Sequence, residues 1–166
     1  MKTFKTKAYR MITLGVLSAI TFTFIFITIK RCGIIQIKNP KVSSIVGNIK
    51  NSTDLSLLNE CDKSKLRKLY NINAGDLEEF RLYAPKTNMD ANQILILKVK
   101  DQNQIEAIKE NLENQISRQA ASFKDYRPDQ YDLIENYSLK AKGKYLFLVV
   151  SKDVDKIIKS INHSFL

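Results

Sequence analysis

The chain has 166 residues, 44% of them hydrophobic, and carries 27 Lys and Arg against 17 Asp and Glu, a formal net charge of +10. That length accommodates one globular domain with extensions, and the charge by itself invites a nucleic-acid partner. Its placement argues against one: no acid precedes Asp54, six cations (Lys2, Lys5, Lys7, Arg10, Lys30, Arg31) flank a single apolar segment, and from residue 51 onward 18 basic residues stand against 17 acidic ones.

That apolar segment, "MITLGVLSAITFTFIFITI" at residues 11–29, contains no charge. At about 1.5 Å per residue it reaches roughly 28 Å, close to the hydrocarbon thickness of a bilayer. A Lys or Arg in mid-span would cost about 3 kcal/mol, so confinement of the cations to the ends fits a transmembrane helix. A cleaved leader needs a small-x-small site after the apolar run, and "TIKRCGI" offers none. Lys30 and Arg31 precede Cys32 where a lipid-attachment site requires small residues. The expectation is an uncleaved single-pass membrane protein: a basic cytoplasmic tail at 1–10, the span at 11–29, a tether at 30–53, and an extracytoplasmic domain at 54–166. Lys30, Arg31, Lys38 and Lys41 after the span make the positive-inside comparison close, and the short, wholly basic tail, the harder side to translocate, favours the N-terminus inside.

The tether, "CGIIQIKNPKVSSIVGNIKNSTD", has turn residues at Gly33, Asn39-Pro40, Ser43-Ser44 and Gly47, with room for one short helical or extended piece. In the domain, "DKSKLRKLYNI" places Leu66, Leu69 and Tyr70 at helical spacing behind Asp62 as N-cap, with a stop near Asn71. "LEEFRLYA" alternates as a strand that Pro85 ends. "QILILKVK" is apolar on both faces, as an interior strand is. After Asp101, the residues Ile105, Ile108, Leu112, Ile116, Ala120 and Phe123 form one stripe of a long helix. "KDYRPDQYDLIENY" reads as an irregular connection around Pro128, and "YSLKAKGKYLFLVVSKD" as a hairpin turning near Lys142-Gly143. Val154, Ile157, Ile158, Ile161 and Phe165 share a face of a closing helix behind Asp153. The fold class is α+β: an antiparallel sheet of about four strands with two amphipathic helices on one face.

The sequence offers no catalytic constellation and no cofactor signature. His163 is the single histidine and lies near the C-terminus without evident partners. Cys32 and Cys61, with one His, do not make a zinc-ligand set, and no metal or cofactor is expected. The five glycines are not clustered into a phosphate loop. Asp76, Glu78 and Glu79 precede a strand, and Asp125, Asp129, Asp132 and Glu135 line the Pro128 connection. Carboxylates in such places are mostly solvated. Lys140, Lys142 and Lys144 alternate along the hairpin, suited to an anionic polymer or headgroup, and more often to blunting an edge strand. The polar loop after Pro85 is the candidate contact surface: Lys86, Asn88 and Asp90 sit on a turn set by local side-chain bonds, and polar loops on rigid sheets often bind.

Two long stretches, "LYNINAGDLEEFRLYAPKTNMDANQILILKVKD" and "SFKDYRPDQYDLIENYSLKAKGKYLFLVVSKD", resemble the bacterial, mainly clostridial, family called domain of unknown function 4358. The similarity covers roughly residue 54 to the C-terminus and rests on the Pro-x-Thr-Asn-Met-Asp-Ala loop, the Lys-Val-Lys-Asp strand end, the Tyr-x-Pro connection and the Gly-Lys-Tyr hairpin. The family pattern often has Glu where this chain has Gln93. The resemblance transfers no catalytic residues. It implies a small envelope protein, with an envelope membrane protein such as an acyltransferase as partner.

Three functions remain open on the sequence: an accessory interaction domain of the cell envelope, a ligand-sensing domain with a pocket beside its sheet, and an envelope hydrolase or transferase with two carboxylates converging within 125–135. The first is favoured, with no catalytic role.

Overall fold

A computed structural model describes residues 39–166, together with Gly15 and Thr21. The span expected at 11–29, the tail before it and Cys32 otherwise lie outside the described residues. Among the described residues no helix is long and apolar enough to cross a membrane. Residues from Asn39 onward belong to one compact unit, Lys38–Leu166.

Its first element lies in the stretch read as a tether. Val42, Ile45, Val46 and Ile49 recur at the spacing of a helical face, and helix α1 (Val42–Ser52) buries all four. Its first turn takes a side-chain acceptor from elsewhere in the fold: Val42 N donates to Glu79 Oε2 at 3.3 Å. A short strand, β1 (Leu58–Cys61), follows. Helix α2 (Lys63–Tyr70) starts as expected, with the Asp62 carboxylate accepting from Lys65 N at 2.9 Å. It ends at Asn71, whose φ of 54° is the left-handed conformation asparagine tolerates. Strands β2 (Leu77–Pro85) and β3 (Gln93–Val99) come next, then helix α3 (Ile105–Phe123).

Helix α4 (Pro128–Glu135) occupies the connection read as irregular. Pro128 does not break structure there. It stands at the first helical position, where its missing N–H is no loss. The hairpin β4 (Ser138–Lys142) and β5 (Tyr145–Val150) turns through Gly143 at φ 58°, and helix α5 (Val154–His163) closes the chain.

The sheet is antiparallel throughout, in the order β1-β2-β3-β5-β4. Among the described residues it therefore has five strands, where about four were expected. β1 escapes a pattern search because it is four residues long, with Asn59 and Glu60 exposed. Glu60 is held there by Arg81 at 3.4 Å and the Tyr83 hydroxyl at 3.0 Å. β4 is the other edge, so Lys140 and Lys142 lie on an edge strand. Lys144, by contrast, sits in the turn and pairs with Glu78 at 2.8 Å.

The helices cover both faces of the sheet, which corrects the expectation of one covered face. Leu82, Leu95, Leu97, Leu146 and Leu148 pack with Leu66 of α2, with Leu112, Ile116 and Phe123 of α3, and with Ile134 of α4. On the opposite face Tyr83, Ile94, Ile96, Phe147 and Val149 pack with α1 and with Ile157, Ile158 and Ile161 of α5. The period-2 alternation of β3 and β5 requires this outcome, because a strand apolar on both sides must be covered on both. α1 and α5 are also tied to each other by Asn48 Nδ2 donating to Ser164 Oγ at 2.9 Å.

Candidate functional site

The polar loop between β2 and β3 does not stand alone. Beside it, between α2 and α3, lies a pocket of about 410 Å³ lined by Lys86, Asn88 and Asp90 together with residues from both helices. The three loop residues singled out by composition are thus brought to one site. Volumes of several hundred Å³ are those of small-molecule pockets.

The loop owes its shape to internal bonds and to α4. Thr87 Oγ1 accepts from Met89 N at 3.3 Å, and Asp90 Oδ1 accepts from Asn92 N at 3.0 Å. Gln130 Oε1 accepts from Ala91 N at 2.8 Å, and Arg127 Nη1 donates to the Met89 carbonyl at 3.0 Å. Arg127 is itself fixed by two bonds to Asp129, at 2.9 and 2.8 Å. That guanidinium holds the Asp129 carboxyl well below the usual carboxylate range, and the Asp129 carboxylate in turn raises Arg127. Asp90 serves the turn as expected, whereas Asn88, expected to supply a local side-chain bond too, makes none among the described residues, and Thr87 takes that part.

The pocket floor is a chain of three polar side chains from three elements. Gln93, the first residue of β3, is 3% exposed and, tyrosines aside, is the one buried polar side chain among the described residues. Its register puts it on the core face with Leu95 and Leu97, beside Val150 of β5. The Tyr70 hydroxyl donates to Gln93 Oε1, and Gln93 Nε2 donates to Gln119 Oε1 at 2.7 Å. Burial raises the Tyr70 phenol well above its ordinary range, with a smaller contribution from Cys61, so it stays a neutral donor. Tyr70 is positioned by its own carbonyl, which accepts from Asn111 Nδ2 at 2.6 Å. The chain runs donor to acceptor from Tyr70 to Gln119 and ends on the Gln119 Nε2 group. That group makes no further bond among the described residues and belongs to a residue lining the pocket.

Around the opening stand Lys65 of α2, Lys86 of the loop and Arg118 of α3, all exposed. None of the three is ion-paired among the described residues. Asp90 is the single carboxylate of the lining among the described residues. Leu69, Ala84, Pro85 and Phe123 supply an apolar wall. The site has a donor-terminated floor, a cationic rim and one greasy side.

The other sequence-derived candidates do not converge. Asp125, Asp129, Asp132 and Glu135 are all exposed, and Asp129 is taken up by Arg127, so the carboxylate pair an acid–base enzyme would need in that segment is not formed. His163 is exposed at the end of α5. Among the described residues no group of three or more His, Cys, Asp or Glu side chains is placed to hold a metal ion. Sequence reasoning missed Lys65, Tyr70, Arg118 and Gln119 as site residues. Gln93 did carry a signal: a polar residue opening the core face of an otherwise apolar strand.

The model of the family described as Domain of unknown function (DUF4358) matches residues 51–151. The chain belongs to this family. No curated protein and no solved structure matches the chain significantly. The DUF4358 segment contains all five strands, α2, α3 and α4, and with them the whole pocket lining, whereas α5 and nearly all of α1 lie outside it.

Proposed function

We propose that this DUF4358 protein is a membrane-anchored recognition protein. Residues 11–29 span the cell membrane, the C-terminal domain is displayed outside, and the pocket under the 86–92 loop captures a ligand or a segment of an envelope partner. The reading is binding without chemistry, an accessory or sensing role in the cell envelope. One observation carries it: a buried amide, Gln93, wired to Tyr70 and Gln119 at the floor of a 410 Å³ pocket whose mouth holds three cations with no ion-pair partner among the described residues. A pocket beside the sheet is what the sensing version requires, and it favours that version over a featureless contact surface. The partner suggested by the sequence resemblance, an envelope membrane protein such as an acyltransferase, fits this role as the source or recipient of the signal.

The test is photo-crosslinking in intact cells, with a photoreactive residue at Asn88 and, separately, at exposed Lys159 on α5 as a remote control. A specific adduct formed from position 88 and not from 159 supports the reading. Identical adduct patterns from the two positions, or none from 88 under conditions where the protein is expressed and membrane-bound, would refute it.

A further inference from the structure

The chemistry of the pocket narrows what it takes. We propose that it binds a small organic oxyanion, a carboxylate or phosphate monoester carrying a short apolar body, with the anion held by Arg118, Lys65 and the Gln119 amide. This rests on the reading of the pocket as a recognition site.

Three observations converge on it. First, the rim charge is one-sided: Lys65, Lys86 and Arg118 against Asp90 alone, and Asp90 already accepts from Asn92 N and Nδ2 at 3.0 and 2.7 Å and lies on the side of Arg127. Cations that have no ion pair among the described residues and stand around a concave site focus potential on its interior. Second, the floor has a direction. Because the Tyr70 hydroxyl donates and Gln93 passes a donor on, the chain terminates in N–H groups rather than in a carbonyl. A terminal –NH2 calls for an acceptor, and an anionic oxygen is the strongest one. Third, the apolar wall of Leu69, Pro85 and Phe123 has no use for inorganic phosphate and matches a few methylenes or a small ring. Arg118 offers the forked geometry that carboxylate and phosphate groups share. Two sources supply this chemistry: a free organic acid or phosphate ester, and the headgroup region of an anionic lipid.

The test uses the full-length chain, 15N-labelled, in dodecyl maltoside micelles, reading the side-chain amide resonances of Gln93 and Gln119. The probes are hexanoate, hexyl phosphate, inorganic phosphate, hexylammonium and hexanol. Hexanoate and hexyl phosphate are expected to shift both amides saturably, inorganic phosphate far less, and the other two not at all. Arg118→Ala, a change at an exposed position, should weaken hexanoate about 10-fold. Gln93→Glu, nearly isosteric, removes the amide donor that holds Gln119 Oε1 and with it the orientation of the Gln119 –NH2 group, and should weaken hexanoate binding at least about 10-fold. If Gln93→Glu fails to fold, Arg118→Ala still decides the matter. Saturable shifts by hexanol or hexylammonium equal to those by hexanoate would overturn the oxyanion assignment and leave the recognition reading standing. No shift with any probe would overturn the assignment too, and the crosslinking from Asn88 then decides the wider reading by itself. Repeating the measurement without probe in nanodiscs separates the sources: shifts in phosphatidylglycerol and not in phosphatidylcholine assign the site to a lipid headgroup, and equality of the two assigns it to a soluble ligand.

Discussion

Helix α1 makes the sharpest prediction, because its sequence reads as linker and its side chains behave as core. Ile45 is 0% exposed and packs into the layer formed with Tyr83, Ile94, Ile96 and Phe147. Ile45→Ala removes three carbons from a site that the sheet and α5 cannot close, at a cost of about 3 kcal/mol. For a unit the size of Lys38–Leu166 that lowers Tm by about 10 °C. Ser44→Ala, next to it and exposed, is the control and should change Tm by no more than about 2 °C. The chain has no Trp, so the assay is near-UV circular dichroism of its seven Tyr, several of them buried. The same reasoning applies to truncation. The four buried side chains of α1 are together worth about 8 kcal/mol of apolar burial, which is comparable to the whole stability of a domain. A fragment of residues 54–166 is therefore expected to aggregate or to lack a cooperative transition, whereas 38–166 unfolds cooperatively. If Ile45→Ala melts with Ser44→Ala, or if the shorter fragment melts at the temperature of the longer one, α1 does not contribute to the core and the argument fails.

Other perturbations bear on separate parts of the fold. Lys144 and Lys98 hold the Glu78 carboxyl at about 2, below its ordinary 4.5, so their stabilisation is fully present above pH about 4.5 and is lost as pH falls through about 2; Glu78→Gln should flatten Tm against pH over that window, and an unchanged slope would refute the linkage. Gly143→Ala forces an L side chain to φ 58° and should cost about 1 kcal/mol in thermal or urea unfolding, with Gly143→Asn costing measurably less; equal losses would mean that the turn conformation is not the cause. Tyr70→Phe leaves the buried Gln93 carbonyl without its donor and should cost about 1–2 kcal/mol while moving the Gln93 side-chain amide resonances; a neutral change in both would break the proposed floor.

What could be read in advance follows from where information is local. The α3 stripe, the two-faced alternation of β3 and β5, the Asp62 cap, the Asn71 stop and the Gly143 turn are each written in a few adjacent residues, and each is present. The failures are cases where tertiary context supplies the reason. α1 lies in a stretch whose Gly47 and β-branched residues left a helical or an extended piece open within a tether, and it is helical and part of the core because Val42, Ile45, Val46 and Ile49 find a sheet face to bury against. β1 is a strand because Arg81 and Tyr83 of its neighbour hold Glu60. Which sheet face a helix covers is not local information at all. The site divides in the same way. Lys86, Asn88 and Asp90 were visible as a polar loop, whereas Tyr70, Arg118 and Gln119 sit on helices where their spacing suggests nothing, until the fold folds α2 and α3 around the loop.

Gln93 remains the position that stability alone does not explain. Its neighbours on the same face of β3 are leucines, and a leucine there would join them at a gain of about 2 kcal/mol in apolar burial. An amide in the same place must have its hydrogen bonds met, or it costs a few kcal/mol. Meeting them commits two further side chains, Tyr70 from α2 and Gln119 from α3, to a polar chain where the rest of that face is packed hydrocarbon. The arrangement also leaves a pocket open at the one point where the three elements meet, although larger apolar residues would fill it. Polarity and empty volume kept together, beneath a loop pinned by Arg127 and Gln130 and beside cations with no ion pair among the described residues, are what the proposed recognition role calls for and what packing alone would not retain.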